Sequence, residues 1–258
     1  IKHFCGFNNI NRGYVEECVK WYKPFYDKGC SVDVIAMDAD YSKYDLVIAP
    51  FLYMLKDGTV DRIEKYVADG GNFVATYLSG LVDSDDMCFL GGWPAGKLKD
   101  VFGIWHEETD SLPEGMKNSV AYAGKEYDVV HVCDIIHANE AETLGTYGKD
   151  FYAGMPAVTV NNYGKGNAYY VAFRNDDCFA DNFCAKLIDD IKVAPDAQIK
   201  TAKDVTVRKR GNCIFVMNFT DGETQVELDS TYKNIITGEE MSGTVTLGVC
   251  GYLVLKEA

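Results

Sequence analysis

The chain has little of what most chemistries need. Four histidines among 258 residues leave few imidazoles to act as metal ligands or general bases. No apolar run reaches the roughly 18 residues that a bilayer span requires. No basic stretch followed by an apolar one opens the chain, so nothing in it reads as a secretion signal. Positive charge is scarce too: 25 lysines and arginines face 39 aspartates and glutamates, a net charge of -14. Such a surface repels phosphate backbones, which argues against nucleic acid as a partner. A cytoplasmic protein without a membrane partner is the expectation.

Nine cysteines are present, an odd number, and none forms a Cys-x-x-Cys pair. Cys18, Cys133 and Cys213 lie within apolar stretches. Reduced, mostly buried thiols fit this pattern better than a disulfide framework. Asn218-Phe219-Thr220 matches a glycosylation sequon and, without a secretion signal, is read as chance.

The first part alternates helix and strand signals. Val15, Cys18, Val19, Tyr22 and Phe25 recur at spacings of three and four, which predicts a helix over residues 14–26, stopped by Gly29. Ser31 to Met37 and Tyr44 to Ala49 read as strands, the second nearly continuous in apolar residues. Thr59 can cap a helix whose inner face is Val60, Ile63 and Val67, and Asp69-Gly70-Gly71 ends it. Phe73 to Tyr77 is the next strand. This order predicts an α/β fold: a mostly parallel sheet with helices on both faces, in the Rossmann or flavodoxin manner. A short helix over Leu98, Val101 and Phe102 follows Gly96.

From about residue 104 the chain becomes β-rich. Val120 to Ala123 and Tyr127 to Ile136 flank Gly124-Lys125. Ala157 to Val160 and Asn167 to Phe173 flank Tyr163-Gly164-Lys165-Gly166. Both pairs are hairpin candidates. Asp176-Asp177 opens a helix carrying Phe179, Phe183, Leu187 and Ile191, where acids suit the helix dipole. Pro195 marks a linker, dividing residues 1–195 from 196–258. The second part has short β segments at Val205–Arg208, Cys213–Asn218, Gln225–Leu228, Lys233–Ile236 and Tyr252–Leu255, a small antiparallel sandwich or barrel of about 60 residues.

Chemical motifs are mostly missing. Gly6 and Gly13, the first glycines after the opening strand, lack the Gly-x-Gly-x-x-Gly spacing of a dinucleotide site, and no Walker sequence occurs. No cofactor is expected. Ser79, in Leu78-Ser79-Gly80, lacks the preceding glycine of a nucleophile elbow. Gly92-Trp93-Pro94-Ala95-Gly96 has elbow-like glycines, with proline where a nucleophile would stand. Cys88 has no neighbouring histidine; an amidotransferase-like hydrolase using Cys88 or Ser79 is the alternative reading. His131, Cys133 and His137 fall at even spacings, so one strand could present them on one side for zinc, or they could fall there by chance. Asp83-Ser84-Asp85-Asp86 resembles the start of a calcium loop but lacks its glycine and closing glutamate, and a solvated turn explains it better.

The run Tyr44-Asp45-Leu46-Val47-Ile48-Ala49-Pro50-Phe51-Leu52-Tyr53-Met54-Leu55, with Tyr66–Val74, Tyr77–Asp83 and Leu90-Gly91-Gly92-Trp93-Pro94-Ala95-Gly96, resembles the middle domain of family 42 β-galactosidases. Ala141–Tyr152 and Ala157–Ala172 look like that domain's second half. Val216–Thr220, Thr237–Glu240 and Gly251–Leu255 are similar to the family's C-terminal β-domain. The resemblance implies a trimerisation domain over 1–195, with a flavodoxin or class I amidotransferase-like fold that has lost its nucleophile, and a small β-domain over 196–258. It implies a homotrimeric parent that hydrolyses galactosides with a TIM barrel absent here, so that no catalytic residue carries over and the chain is a non-catalytic fragment. It also implies that a loop of this domain lies near a neighbouring active site. Asp83, Phe89, Gly91, Gly92, Trp93 and Pro94, on the glycine-rich stretch from Asp83 to Gly96, are the candidates. Phe89 and Trp93 could equally pack beneath that loop. A carbohydrate-binding module is a further alternative, resting on Trp93.

Overall fold

The computed structural model describes residues 13–175, 178–195, 197, 199–202 and 204–257. The predicted caps Asp176 and Asp177, together with Gly6, lie outside them. The described residues fall into two compact units, one drawn from 13–21 and 35–183, the other from 22–34 and 184–257.

Helix α1 spans Tyr14–Asp27. Its buried side matches the predicted one only in part: Phe25 is buried, and Cys18 and Tyr22 are half-buried. Val15 and Val19 are exposed, whereas Glu17 and Trp21 are buried. Glu17 tolerates burial because Arg174 Nε lies 3.1 Å and Lys20 Nζ 2.7 Å from its carboxylate; an unpaired carboxylate there would be strongly disfavoured. Residues 31–36 are neither helix nor strand, contrary to the strand expected at Ser31 to Met37. Strand β1 (Leu46–Ala49), helix α2 (Thr59–Ala68) and strand β2 (Asn72–Thr76) follow as expected. Gly58, not Thr59, is the N-cap of α2, and Thr59 is buried in its first turn.

Next come α3 (Leu98–Phe102), β3 (Ile104–Ser111), β4 (Asn118–Tyr122), β5 (Lys125–Val129), β6 (Val132–Ala138), β7 (Glu142–Tyr147), β8 (Pro156–Tyr163), β9 (Gly166–Val171) and α4 (Phe179–Ile191). The large sheet has the order β1-β2-β9-β8-β7-β4-β5. This corrects the expectation of a flavodoxin-like or amidotransferase-like parallel sheet covered by helices. Only β1/β2 and β2/β9 are parallel; the other four pairings are antiparallel. The fold is mostly β, with four helices among the described residues.

The physical reason lies in the hairpins. β4 joins β5 through Ala123-Gly124, both at positive φ, the primed-turn geometry that matches strand twist. β8 joins β9 through Gly164-Lys165, with Gly164 at φ 62°. Two-residue turns force antiparallel neighbours, so a β-α-β start does not propagate. β3 and β6 pair separately as a two-stranded ribbon.

Adjacent residues of β9 point to opposite faces of the sheet. Tyr169 meets Phe183 of α4, at a ring separation of 6.0 Å. Tyr170 meets Phe102 of α3 at 5.7 Å. Phe179 and Phe183 continue the first cluster against Tyr122, and Phe73 continues the second.

The second unit contains β10 (Lys200–Thr201), β11 (Val205–Arg210), β12 (Cys213–Asn218), β13 (Thr224–Asn234), β14 (Glu240–Leu247) and β15 (Tyr252–Glu257). They form one antiparallel sheet in the order β10-β13-β15-β12-β11, with β14 on β13. The two segments expected at 225–228 and 233–236 are one strand, irregular between Leu228 and Tyr232. Val205, Val207, Ile214, Val216, Leu253 and Leu255 alternate onto the inner face and form its core. Asn218 is buried among them. Its amide nitrogen donates to the carbonyls of Gly222 and Gly248, each at 2.8 Å, and its oxygen accepts from Thr220 N–H at 2.9 Å. The sequon asparagine is therefore a structural hub.

Candidate functional site

The chain turns sharply after β2. Leu78 has φ 58°, a left-handed conformation that a branched side chain adopts at a cost of about 1–2 kcal/mol. Its backbone N–H donates to Asp134 Oδ2 at 2.7 Å. Its side chain packs with Phe51, Tyr77, Leu81, Val82 and Val132.

Asp134, on β6, is fully buried. Oδ2 also accepts from the Tyr170 hydroxyl at 2.8 Å. Oδ1 accepts from the Thr109 hydroxyl at 2.9 Å and lies 3.3 Å from His106 Nε2. Four partners on three segments, β3, β9 and the turn after β2, thus converge on one carboxylate, an acceptor-only group well suited to donors. Tyr147 adds a layer, donating to the carbonyls of Asp134 and Ala172 at 3.0 and 2.7 Å. Burial pushes the Tyr147 and Tyr170 phenols well above the usual range, so both stay protonated donors.

His106 links this centre to the loop from Asp83 to Gly96. Its backbone N–H donates to the Trp93 carbonyl at 3.0 Å, and its ring lies 5.2 Å from the Trp93 ring. Trp93 is half-buried against the Phe51–Leu81 cluster, and Pro94, after a cis peptide, is buried. Gly91 and Gly92 both take positive φ, at 90° and 87°. Asp83 is an Asx turn: its Oδ1 accepts from the N–H groups of Asp85 and Met87 at 2.9 and 3.0 Å. Tyr53 donates to Asp86 at 3.0 Å, and burial, then that bond, pushes its phenol up to about 12. Phe89 is half-buried, while Met87 and Leu90 project outward, 65% and 99% exposed.

The other sequence candidates are not brought together. Ser79 is buried; its hydroxyl donates to the Thr76 carbonyl at 2.6 Å and accepts from Leu52 N–H at 3.2 Å. Cys88 is exposed on the loop. His131 precedes β6 at φ 63°, so it does not continue the strand's alternation. Cys133 is buried, and burial pushes its thiol up to about 12, far from a reactive thiolate at neutral pH. His137 is at the surface, 2.5 Å from Glu107. Among the described residues, no group of three or more acidic, histidine or cysteine side chains is placed to hold a metal. Sequence reasoning missed Asp134, His106, Thr109 and Tyr170. A usable signal was present: Asp134 is the lone acid in the apolar run Val132-Cys133-Asp134-Ile135-Ile136.

This centre is a carboxylate closed in by donors, with no serine or cysteine among the partners described for it. Residues 1–194 match the family described as "Beta-galactosidase trimerisation domain", and residues 204–257 match "Beta-galactosidase C-terminal domain". The chain belongs to the family 42 β-galactosidases. It is 41% identical over 260 residues to β-galactosidase Pbg of Clostridium perfringens, covering 95% of this chain and 37% of that protein. It is 41% identical over 232 residues to β-galactosidase LacA of Lactobacillus acidophilus, covering 88% and 34%. The crystal structure of a β-galactosidase from Bacillus circulans sp. alkalophilus superposes with a TM-score of 0.89 at 37% identity, over 97% of this chain and 38% of that one. The chain therefore spans a little over a third of the length of such relatives.

Proposed function

We propose that this chain holds copies of a galactoside-hydrolysing enzyme together and does not itself cleave the glycosidic bond. The match of residues 1–194 to a trimerisation domain carries the reading. Glycoside hydrolysis needs two carboxyl groups flanking the scissile bond. The buried Asp134 instead commits both oxygens to donors within the chain. Galactosides are then substrates of a barrel domain outside this sequence, in a cytoplasmic homotrimer. We divide the chain into an association domain, 1–195, and a C-terminal β-domain, 196–258.

The contact surface we assign is the loop with Asp83, Phe89, Gly91, Gly92, Trp93 and Pro94. Hydrogen bonds fix its backbone, while Met87 and Leu90 stand 65% and 99% exposed. Apolar side chains held outward on an ordered loop are what interface cores bury. Sedimentation velocity over a concentration series tests this. The chain self-associates, Leu90→Asp weakens association at least about tenfold, and a chromogenic galactoside is hydrolysed no faster than the blank. A strict monomer at every concentration, or measurable turnover, overturns the reading.

A further inference from the structure

The β3/β6 ribbon carries a second feature, outside the Asp134 centre and outside the loop. Trp105 and His137 are cross-strand partners. Their rings stack with centroids 4.2 Å apart and an angle of 4° between their planes. His137 Nε2 is in turn 2.5 Å from Glu107 Oε2. A register shift between His106 and Glu108 inserts Glu107 as an extra residue, and its carboxylate reaches His137. Beyond it, Glu108 pairs with Ile135, two residues along β6 from His137. The strand period of two therefore puts Glu108 on the same face as Trp105 and His137.

The indole is thus held from one side by an imidazole that is itself held by a carboxylate. Trp105 nonetheless remains 39% exposed. A large apolar ring kept rigid and in water is prepared to bind something, because its ordering cost is already met. We infer that this face binds a hexopyranoside ring, with galactosides as the class. The apolar C–H face of the sugar lies against the exposed part of the Trp105 ring, whose face carries the negative end of its quadrupole. Sugar hydroxyls donate to Glu107 and Glu108, charge-assisted bonds that an acceptor-only carboxylate makes well.

The surroundings favour a polyol over a second copy of the chain. Protein hot spots sit in apolar, desolvated surroundings. Here the aromatic ring is flanked by Glu107, with its side chain 49% exposed, and by exposed Glu108. A neutral sugar brings donors and no charge. The inference goes beyond the proposed function, which gives no residue of this chain a role in recognising sugar. Trp93, the tryptophan singled out from sequence for this role, is half-buried against its own core instead.

The test is a titration of the whole chain with methyl β-D-galactopyranoside, followed by the indole N–H signals in ¹H–¹⁵N spectra. The Trp105 signal is assigned by its loss in Trp105→Phe. A ligand of about a dozen heavy atoms at ordinary ligand efficiency binds in the millimolar range. The Trp105 signal shifts and saturates, those of Trp21 and Trp93 stay still, and Glu108→Gln raises Kd about tenfold. Trp105→Ala abolishes the response while its amide spectrum stays dispersed; Trp105→Phe, which keeps a smaller ring, weakens it without abolishing it. A Trp105 signal that does not move overturns the inference. So does an equal shift with glycerol, or a Trp105→Ala variant that loses self-association while wild type ignores the sugar. Self-association is read separately by sedimentation, so failure here leaves the association reading standing, and the reverse also holds.

Discussion

Replacing Asp134 by alanine removes the one acceptor on which four partners converge. Three donors are stranded outright: Leu78 N–H, the Tyr170 hydroxyl and the Thr109 hydroxyl, now 2.7, 2.8 and 2.9 Å from an oxygen. A buried donor left unsatisfied costs about 1–3 kcal/mol. The carboxylate's own desolvation, which the fold no longer has to bear, offsets part of the sum. Breaking a buried charged network by removing one partner then comes to about 3–5 kcal/mol. For a unit of this size that lowers Tm by about 6–20 °C. Tyr170→Phe is the control. It removes one donor, leaves the carboxylate with three partners, and costs about 1–2 kcal/mol. Urea unfolding followed by tryptophan fluorescence reads the difference. Trp21, Trp93 and Trp105 all lie in the first unit, so the second unit contributes no signal. If Asp134→Ala destabilised no more than Tyr170→Phe, the carboxylate would not be the organising centre described above.

Four further substitutions have outcomes that particular residues set. The Cys133 thiol is pushed from 9.0 up to about 12, first by burial and then by nearby acids, while a bond with Tyr152 opposes the shift. The fold thus favours the neutral thiol. Its contribution is whole below about pH 9 and is lost as pH rises toward 12, so Cys133→Ala flattens the fall in urea midpoint with pH across that window. A Cβ at Gly166 would stand 2.1 Å from the Gly71 carbonyl oxygen and 2.5 Å from that of Val67. Backbone cannot retreat that far, so Gly166→Ala costs more than about 3 kcal/mol in the same urea assay. Gly124→Ala, with positive φ but open space around it, costs about 1 kcal/mol. Asn218→Ala strands Thr220 N–H and two carbonyls in the second unit, about 2–3 kcal/mol, which appears as faster amide hydrogen exchange in β12 and β15.

Local chemistry made part of this fold legible. Apolar spacing located α1, α2 and α4, and glycine-bearing turns located the β4–β5 and β8–β9 hairpins. What failed was non-local. Whether β9 pairs parallel to β2 depends on a partner 95 residues away in sequence (Asn72 with Asn167), and no periodicity encodes that. β3 was missed because its extra residue, Glu107, breaks the alternation that would have marked a strand. The His131–Cys133–His137 reading failed for a related reason. Even spacing predicts a shared side only while the backbone stays extended, and His131 stands before β6 in a left-handed turn. In α1 apolar spacing placed Phe25 correctly but could not mark Glu17 as buried, because the charge that pairs with it, Arg174, is distant in sequence.

The turn after β2 shares one backbone feature with a reactive elbow and lacks the others, and no helix directly follows it. A reactive elbow needs a residue at positive φ, a side chain free to reach substrate, and backbone N–H groups free to receive an oxyanion. Leu78 meets the first condition alone. Its side chain is enclosed by Phe51, Leu81, Val82 and Val132, and its N–H is already bound to Asp134. The strained backbone is held from both ends, by apolar packing and by a charge-assisted hydrogen bond. Adding a nucleophile would leave the second bond in place and remove the first. Reactivity at this position would thus require dismantling the Asp134 centre that fixes the turn.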